Sequence, residues 1–79
     1  MPELTLYTRA GCSLCDEMKE ILAEVLAGVP HTLAEIDVGR SPELEARFGH
    51  EVPVLFVDGR KAFKYRLTAR DLRKRLMRP

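Results

Sequence analysis

The stretch that decides the fold is Tyr7-Thr8-Arg9-Ala10-Gly11-Cys12-Ser13-Leu14-Cys15-Asp16, which holds both cysteines of the 79-residue chain. Before it, residues Glu3 to Thr8 alternate polar and apolar side chains, and this period of two predicts a strand. From Ser13 to about Ala27, apolar residues recur at three- and four-residue steps, as on one face of a helix. A C-x-x-C pair where a strand passes into a helix predicts a dithiol redox site.

The two cysteines have different predicted roles because they occupy different places in this helix. Cys12 stands at the helix start, where unpaired backbone N–H groups and the positive end of the helix dipole favour a thiolate. The thiolate is the form that attacks disulfides, so Cys12 is predicted to be the nucleophile. Cys15 lies one turn later, within the separation that a disulfide requires, and is predicted to be the resolving thiol. Arg9 adds positive charge close to Cys12.

Local signals beyond Gly28 predict three more strands and two more helices. Ser41-Pro42-Glu43 combines a capping side chain, a proline at the first helical position and an early carboxylate, and Gly49 ends this second helix. Asp58-Gly59 predicts a hairpin turn between two strands. Thr68 and Asp71 cap a final helix. The predicted strands are His31–Val38, Val52–Val57 and Lys61–Tyr65.

The element order is therefore β-α-β-α-β-β-α, which predicts an α/β fold. The first crossover makes two strands parallel, and the hairpin adds antiparallel strands. The result is a four-stranded mixed sheet flanked by three helices.

Length and composition fit one compact domain spanning residues 1–79. The chain is 46% hydrophobic and 32% charged, which is ordinary for a globular rather than a disordered protein. Its first residues do not have the pattern of a signal peptide, and no apolar stretch approaches the ~20 residues that are needed to cross a membrane. We therefore expect a cytoplasmic monomer with no membrane or nucleic-acid partner. Thiols are kept reduced in the cytosol, which favours a catalytic or metal-binding role for a lone cysteine pair.

The charge is unevenly distributed along the chain. Residues 1–59 carry four basic and eleven acidic side chains, a net −7, whereas residues 60–79 carry nine basic side chains against Asp71 alone, a net +8. Such a basic segment can face an anionic partner. The interpretation we favour is a solvated last helix in which Arg73, Lys74, Arg75 and Arg78 stabilise the negative end of the helix dipole.

The chain resembles glutaredoxin-like proteins of the thioredoxin superfamily, and most closely a poorly characterised branch with a GCxLC active site. The residues that carry the resemblance are the stretch 7–16, Val52-Pro53-Val54 and Val57-Asp58-Gly59. It implies a thioredoxin-like fold and a thiol–disulfide oxidoreductase that uses a Cys12–Cys15 redox-active disulfide. Substrates would be protein or small-molecule disulfides, and the electron donor would be glutathione or the thioredoxin system.

The resemblance also implies which residues contact the substrate. In thioredoxin-fold proteins the bond equivalent to Val52–Pro53 is cis and faces the cysteines, which makes Val52 and Pro53 predicted substrate-binding residues. Arg9 occupies the position where similar glutaredoxins carry a lysine, and it is predicted to contact substrate as well.

The sequence departs from glutathione-using glutaredoxins after its last strand. Those proteins carry a Gly-Gly turn followed by an acidic residue, and here the matching stretch, 63–68, has no glycine. We therefore expect no resident cofactor, and no glutathione site of the usual kind. The chain also lacks tryptophan, which disfavours the redoxins that serve ribonucleotide reductase.

Two alternatives to disulfide exchange use the same cysteines. A zinc site needs four ligands, and His31 and His50 do not have the short spacing of a histidine pair, so no metal site is predicted within one chain. Two copies would supply four thiolates, which leaves a metal or iron–sulfur centre shared between chains as an alternative. The other alternative is a redox sensor that acts on a partner protein without turnover.

Overall fold

The computed structural model describes residues 1–77 of the chain. Within that range it contains four strands and three helices: β1 (Glu3–Thr8), α1 (Ser13–Leu26), β2 (Thr32–Asp37), α2 (Pro42–Phe48), β3 (Val54–Val57), β4 (Arg60–Lys64) and α3 (Ala69–Leu76). A 3-10 turn over Val38–Arg40 joins β2 to α2. Arg78, one of the basic residues assigned to the last helix, lies outside the described residues.

The strands form one mixed sheet in the order β2-β1-β3-β4. Strand β1 is parallel to β2 and antiparallel to β3, and β3 is antiparallel to β4. This arrangement confirms the predicted α/β fold. It also places the C-terminal end of β1, which leads into the cysteines, beside the start of β3.

The main core lies between the sheet and the pair of helices α1 and α3. Its members are buried apolar side chains of β1, α1, β3 and α3, including Leu4, Leu6, Met18, Leu22, Leu55 and Leu72. Burial of apolar area at about 25 cal/mol per Å² is what holds these layers together. Helix α1 is therefore fixed along its length, and its first turn is a rigid place for a reactive side chain.

A second, smaller core group holds α2 against another part of the sheet. Val38, Phe48 and Val54 are buried there. Phe48 stacks on Tyr7 with ring centroids 4.5 Å apart, and Phe56 meets both rings edge-on. Aromatic pairs in these geometries stabilise a fold beyond their buried area. They anchor α2 next to the loop that follows β1.

Three predicted strands have different bounds in the structure, and β2 begins at Thr32 rather than at His31. Strand β2 ends at Asp37, whose carboxylate accepts the Gly39 N–H at 2.8 Å and so starts the 3-10 turn. Strand β3 begins at Val54 rather than Val52, and β4 covers Arg60–Lys64 rather than Lys61–Tyr65. Tyr65 leaves the strand because its φ is 69°, in the left-handed region.

No helix within residues 1–77 is both long enough and apolar enough to cross a membrane.

Candidate redox site

Cys12 caps helix α1 with its own side chain. Its backbone is extended, with φ −100° and ψ 111°, and its Sγ accepts the Cys15 N–H at 3.2 Å. An N-cap acceptor satisfies one of the unpaired donors of the first turn, and a negative charge there is favoured by the helix dipole. The thiol predicted to be the nucleophile thus lies against a backbone donor.

The two thiols differ sharply in accessibility. Both are free, but Cys12 is partly exposed whereas Cys15 is 0% exposed. A disulfide in solution can reach Cys12 first, since the Cys15 sulfur is covered by the fold. The roles of Cys12 as attacking thiol and Cys15 as resolving thiol remain predictions.

Burial also changes the acidity of the inner thiol. Burial raises the pKa of Cys15 to about 11, and its hydrogen bond with the Cys12 side chain adds to the rise. The backbone of Arg9 and the charge of Lys19 act in the opposite direction on this pKa but do not offset it. Cys15 is therefore a protonated thiol at neutral pH, which is a poorer nucleophile than a thiolate.

The raised pKa of Cys15 predicts a loss of stability in alkaline solution. Above the ordinary thiol pKa of 9.0 the unfolded chain releases this proton, whereas the folded chain holds it until about pH 11. The folded state then binds more protons than the unfolded state, so the free energy of unfolding should fall as pH rises between these values. Urea unfolding at several pH values should show this fall in the native chain and a smaller one in Cys15→Ala. Equal slopes in both proteins would contradict the assignment.

Arg9 is held by α2. Its guanidinium Nη2 donates to Glu45 Oε1 and to the Gly49 carbonyl at 3.0 Å. This contact raises the pKa of Arg9 and lowers that of Glu45. Within residues 1–77, Arg9 and Cys12 share no hydrogen bond, so Arg9 ties the loop before the cysteines to α2. Its predicted contact with substrate remains a prediction.

The Val52–Pro53 peptide bond is cis, as the resemblance implied. The Pro53 carbonyl accepts the Tyr65 N–H at 2.8 Å, which fixes the segment after β4 beside this bond. In the described part of the chain, neither the N–H nor the carbonyl of Val52 has a hydrogen-bond partner. The backbone of Val52 is therefore available to pair with another extended chain.

A groove of about 360 Å³ opens beside the cysteine-bearing turn, between α1 and the start of α3. Leu14, from between the two cysteines, forms part of its wall, and Tyr65 faces the same groove. A leucine between two reactive cysteines can contact a partner or pack against the edge of the sheet, and here Leu14 lines the groove. Sequence reasoning also missed Tyr65, because nothing in its neighbours signals a left-handed backbone.

The histidines considered as metal ligands do not join the cysteines. His31 Nδ1 lies 2.6 Å from the Val29 carbonyl, and His50 is exposed. Among residues 1–77, no three His, Cys, Asp or Glu side chains are placed to hold one metal ion.

The chain matches a known protein family over nearly its whole length. The model of the glutaredoxin-like domain (DUF836) matches residues 3–77. The chain belongs to this glutaredoxin-like family. An uncharacterised protein of Mycobacterium tuberculosis is 38% identical over 65 residues, which cover 76% of this chain and 67% of that protein.

Solved structures of similar proteins share the fold of this glutaredoxin-like chain. An X-ray structure of a structural-genomics target protein from X. campestris superposes with a TM-score of 0.79 at 36% identity, covering 92% of this chain and 93% of that one. Reduced desulfothioredoxin from Desulfovibrio vulgaris Hildenborough gives a TM-score of 0.71 at 26% identity, covering 92% of this chain and 76% of that one. A thioredoxin-like architecture is thereby confirmed, with two cysteines close together at the start of α1.

Proposed function

We propose that this glutaredoxin-like protein is a dithiol thiol–disulfide oxidoreductase. The observation that carries the proposal is the pairing of an accessible helix-capping thiol, Cys12, with a buried, protonated thiol, Cys15, in the same turn. A purely structural cysteine pair has no need of one exposed and one buried sulfur. A disulfide reductase needs both, because the first thiol must reach the substrate and the second must react only afterwards.

The reaction has two exchange steps. In the first, the Cys12 thiolate attacks one sulfur of the substrate disulfide, forms a mixed disulfide and releases the other sulfur as a thiolate that takes up a proton. In the second, Cys15 gives up its proton and attacks the Cys12 sulfur, which releases the second substrate thiol. The substrate gains two electrons and two protons, and the protein is left with a Cys12–Cys15 disulfide. Glutathione or the thioredoxin system, present in the cytoplasm, would return the protein to its dithiol form.

The substrate would be held beside the cysteines by backbone and side-chain contacts. Val52 offers an unpaired N–H and carbonyl at the cis-Pro53 bond, which suits an extended peptide added along that edge. Leu14 and Tyr65 supply apolar surface in the adjacent groove. Arg9 is charged and half-buried nearby, though it is already bonded to Glu45. These contacts favour a protein disulfide as substrate, with no resident cofactor required.

The direct test is to mix the reduced protein with a disulfide-bonded protein and follow both by mass spectrometry. We expect the chain to lose two hydrogens as Cys12 and Cys15 join, while the substrate gains two free thiols. The same protein, purified without air, should be assayed for bound zinc and iron. If the cysteines bound a stoichiometric amount of metal and the protein showed no disulfide exchange, the proposal would be wrong and the metal-binding alternative would be supported.

A further inference from the structure

The two edges of the sheet are built differently. Strand β4 carries Arg60, Lys61 and Lys64, and its pairing with β3 is interrupted by a register shift at Leu55/Phe56. Edge lysines and bulges are devices that keep sheet edges from pairing with other chains. Strand β2 has six residues in unbroken register with β1 and contains no lysine, arginine or proline. Strand β2 therefore has neither the cations nor the register shift of β4, and its Glu35 is ion-paired with Lys19 of α1 at 3.1 Å.

The outward-facing backbone groups of β2 can be identified from one hydrogen bond. Thr32 donates its N–H to the Pro2 carbonyl at 3.0 Å, on the β1 side. Because the direction of backbone groups alternates along a strand, Ala34 and Ile36 also face β1. Leu33 and Glu35 consequently point their N–H and carbonyl groups to the open edge.

The same half of β2 is the exposed half. Residues 32–35 are all exposed, whereas Ile36 and Asp37 are partly covered. Leu33 is 43% exposed, and it lines an apolar groove of about 310 Å³ that β2 shares with α1. An apolar side chain on an open strand edge is a typical site of chain pairing.

An antiparallel partner of identical sequence fits this edge in one register better than in the others. Pairing centred on Glu35 would set two carboxylates opposite each other, and pairing centred on Ala34 would set Leu33 against Glu35. Pairing centred on Leu33 sets leucine against leucine and, on either side, His31 against Glu35. Apolar pairs directly across strands stabilise a sheet, whereas like charges opposite each other destabilise it.

We propose that β2 is a self-association edge, and that its partner is the β2 strand of a second copy of this chain, antiparallel and centred on Leu33. The two sheets then join into one of eight strands. Leu33 exchanges both backbone hydrogen bonds with its counterpart, and the grooves beside α1 meet over the two leucines. This assembly departs from the monomer expected from sequence.

The pairing leaves the redox site open. Leu33 lies opposite Leu4 near the start of β1, whereas Cys12 follows the far end of β1 after Thr8. Each copy would therefore keep an accessible Cys12, and dimerisation through β2 does not depend on disulfide exchange.

The mass of the full chain in solution tests the association. Multi-angle light scattering over a hundredfold range of concentration should show a monomer that passes to a dimer, with no larger species. Leu33→Lys places two cations opposite each other and should weaken dimerisation at least tenfold. Met77→Lys, which replaces an 82% exposed methionine of the C-terminal segment, is the matched control and should leave it unchanged. A monomer at every concentration, or equal weakening by both substitutions, would overturn the proposal.

Amide hydrogen exchange tests the register within the same strand. We expect exchange at Leu33 and Glu35 to slow as protein concentration rises, because their N–H groups face the partner. Ala34, whose N–H faces β1, should exchange at the same slow rate throughout. If the chain dimerised while amide exchange at Leu33 and Glu35 did not slow, another surface would form the contact. The proposed role of the β2 edge would then be wrong.

Discussion

Cys15→Ser is expected to stop the reaction halfway, with substrate bound to Cys12 through a mixed disulfide. Cys12 keeps its exposure and its position at the start of α1, so the first exchange can proceed. No second thiol is then present to release the substrate, and multiple turnover should fall by several orders of magnitude. Non-reducing electrophoresis with a disulfide-bonded protein substrate should reveal the trapped complex.

Cys12→Ser is the matched variant, since it removes the other sulfur of the same turn. It should neither form the trapped complex nor reduce the substrate, because the remaining Cys15 is buried and burial raises the pKa of its thiol. Serine can still cap α1 with its hydroxyl, so the fold should survive the change. If both variants reduced the disulfide equally well, or if Cys15 alone formed the mixed disulfide, the assignment of roles would be wrong.

Leu55→Ala is expected to have the largest effect on stability. Leu55 is 0% exposed on the interior strand β3, in the core that holds α1 and α3 against the sheet. Truncating a buried leucine typically costs about 2–5 kcal/mol of unfolding free energy. The total free energy of unfolding of a native protein is only about 5–15 kcal/mol. Much of the Leu55→Ala protein should therefore be unfolded at elevated temperature.

Leu33→Ala provides the comparison, since Leu33 is an exposed leucine on another strand of the same sheet. Urea unfolding of dilute samples, in which the chain is monomeric, measures the free energy of unfolding of both variants. The loss for Leu33→Ala should be well below the loss for Leu55→Ala. Equal losses in the two variants would mean that the core is not organised around β3 as described.

The sequence predicted those elements that local signals define. Strand β1 begins at Glu3 and ends at Thr8 as predicted, because its alternating pattern is bounded by the turn at Gly11. Helix α2 covers Pro42–Phe48, since Ser41 caps it through the Leu44 N–H and proline suits its first turn. The start of β3 and the end of β4 were wrong by one or two residues, because the geometry around Pro53 and Tyr65 depends on contacts between distant segments.

The candidate site shows the same division between local and distant causes. The spacing of Cys12 and Cys15 and their place at a helix start were predictable from neighbouring residues. The burial of Cys15 was not, because it depends on how α1 packs on the sheet. The partner of Arg9 was not predictable either, since Glu45 lies 36 positions away along the chain. The cis bond at Pro53 was expected from the family resemblance alone.

Redox equilibration of the Cys12–Cys15 pair tests the central claim most directly. The protein would be incubated without air in glutathione buffers of graded potential, and its free thiols would be trapped and counted by mass spectrometry. Thiol–disulfide exchange between these residues predicts that both thiols disappear together, in one two-electron transition that ends in an intramolecular disulfide. A chain whose cysteines stay reduced across the series, or which takes up glutathione without ever joining Cys12 to Cys15, would contradict the account.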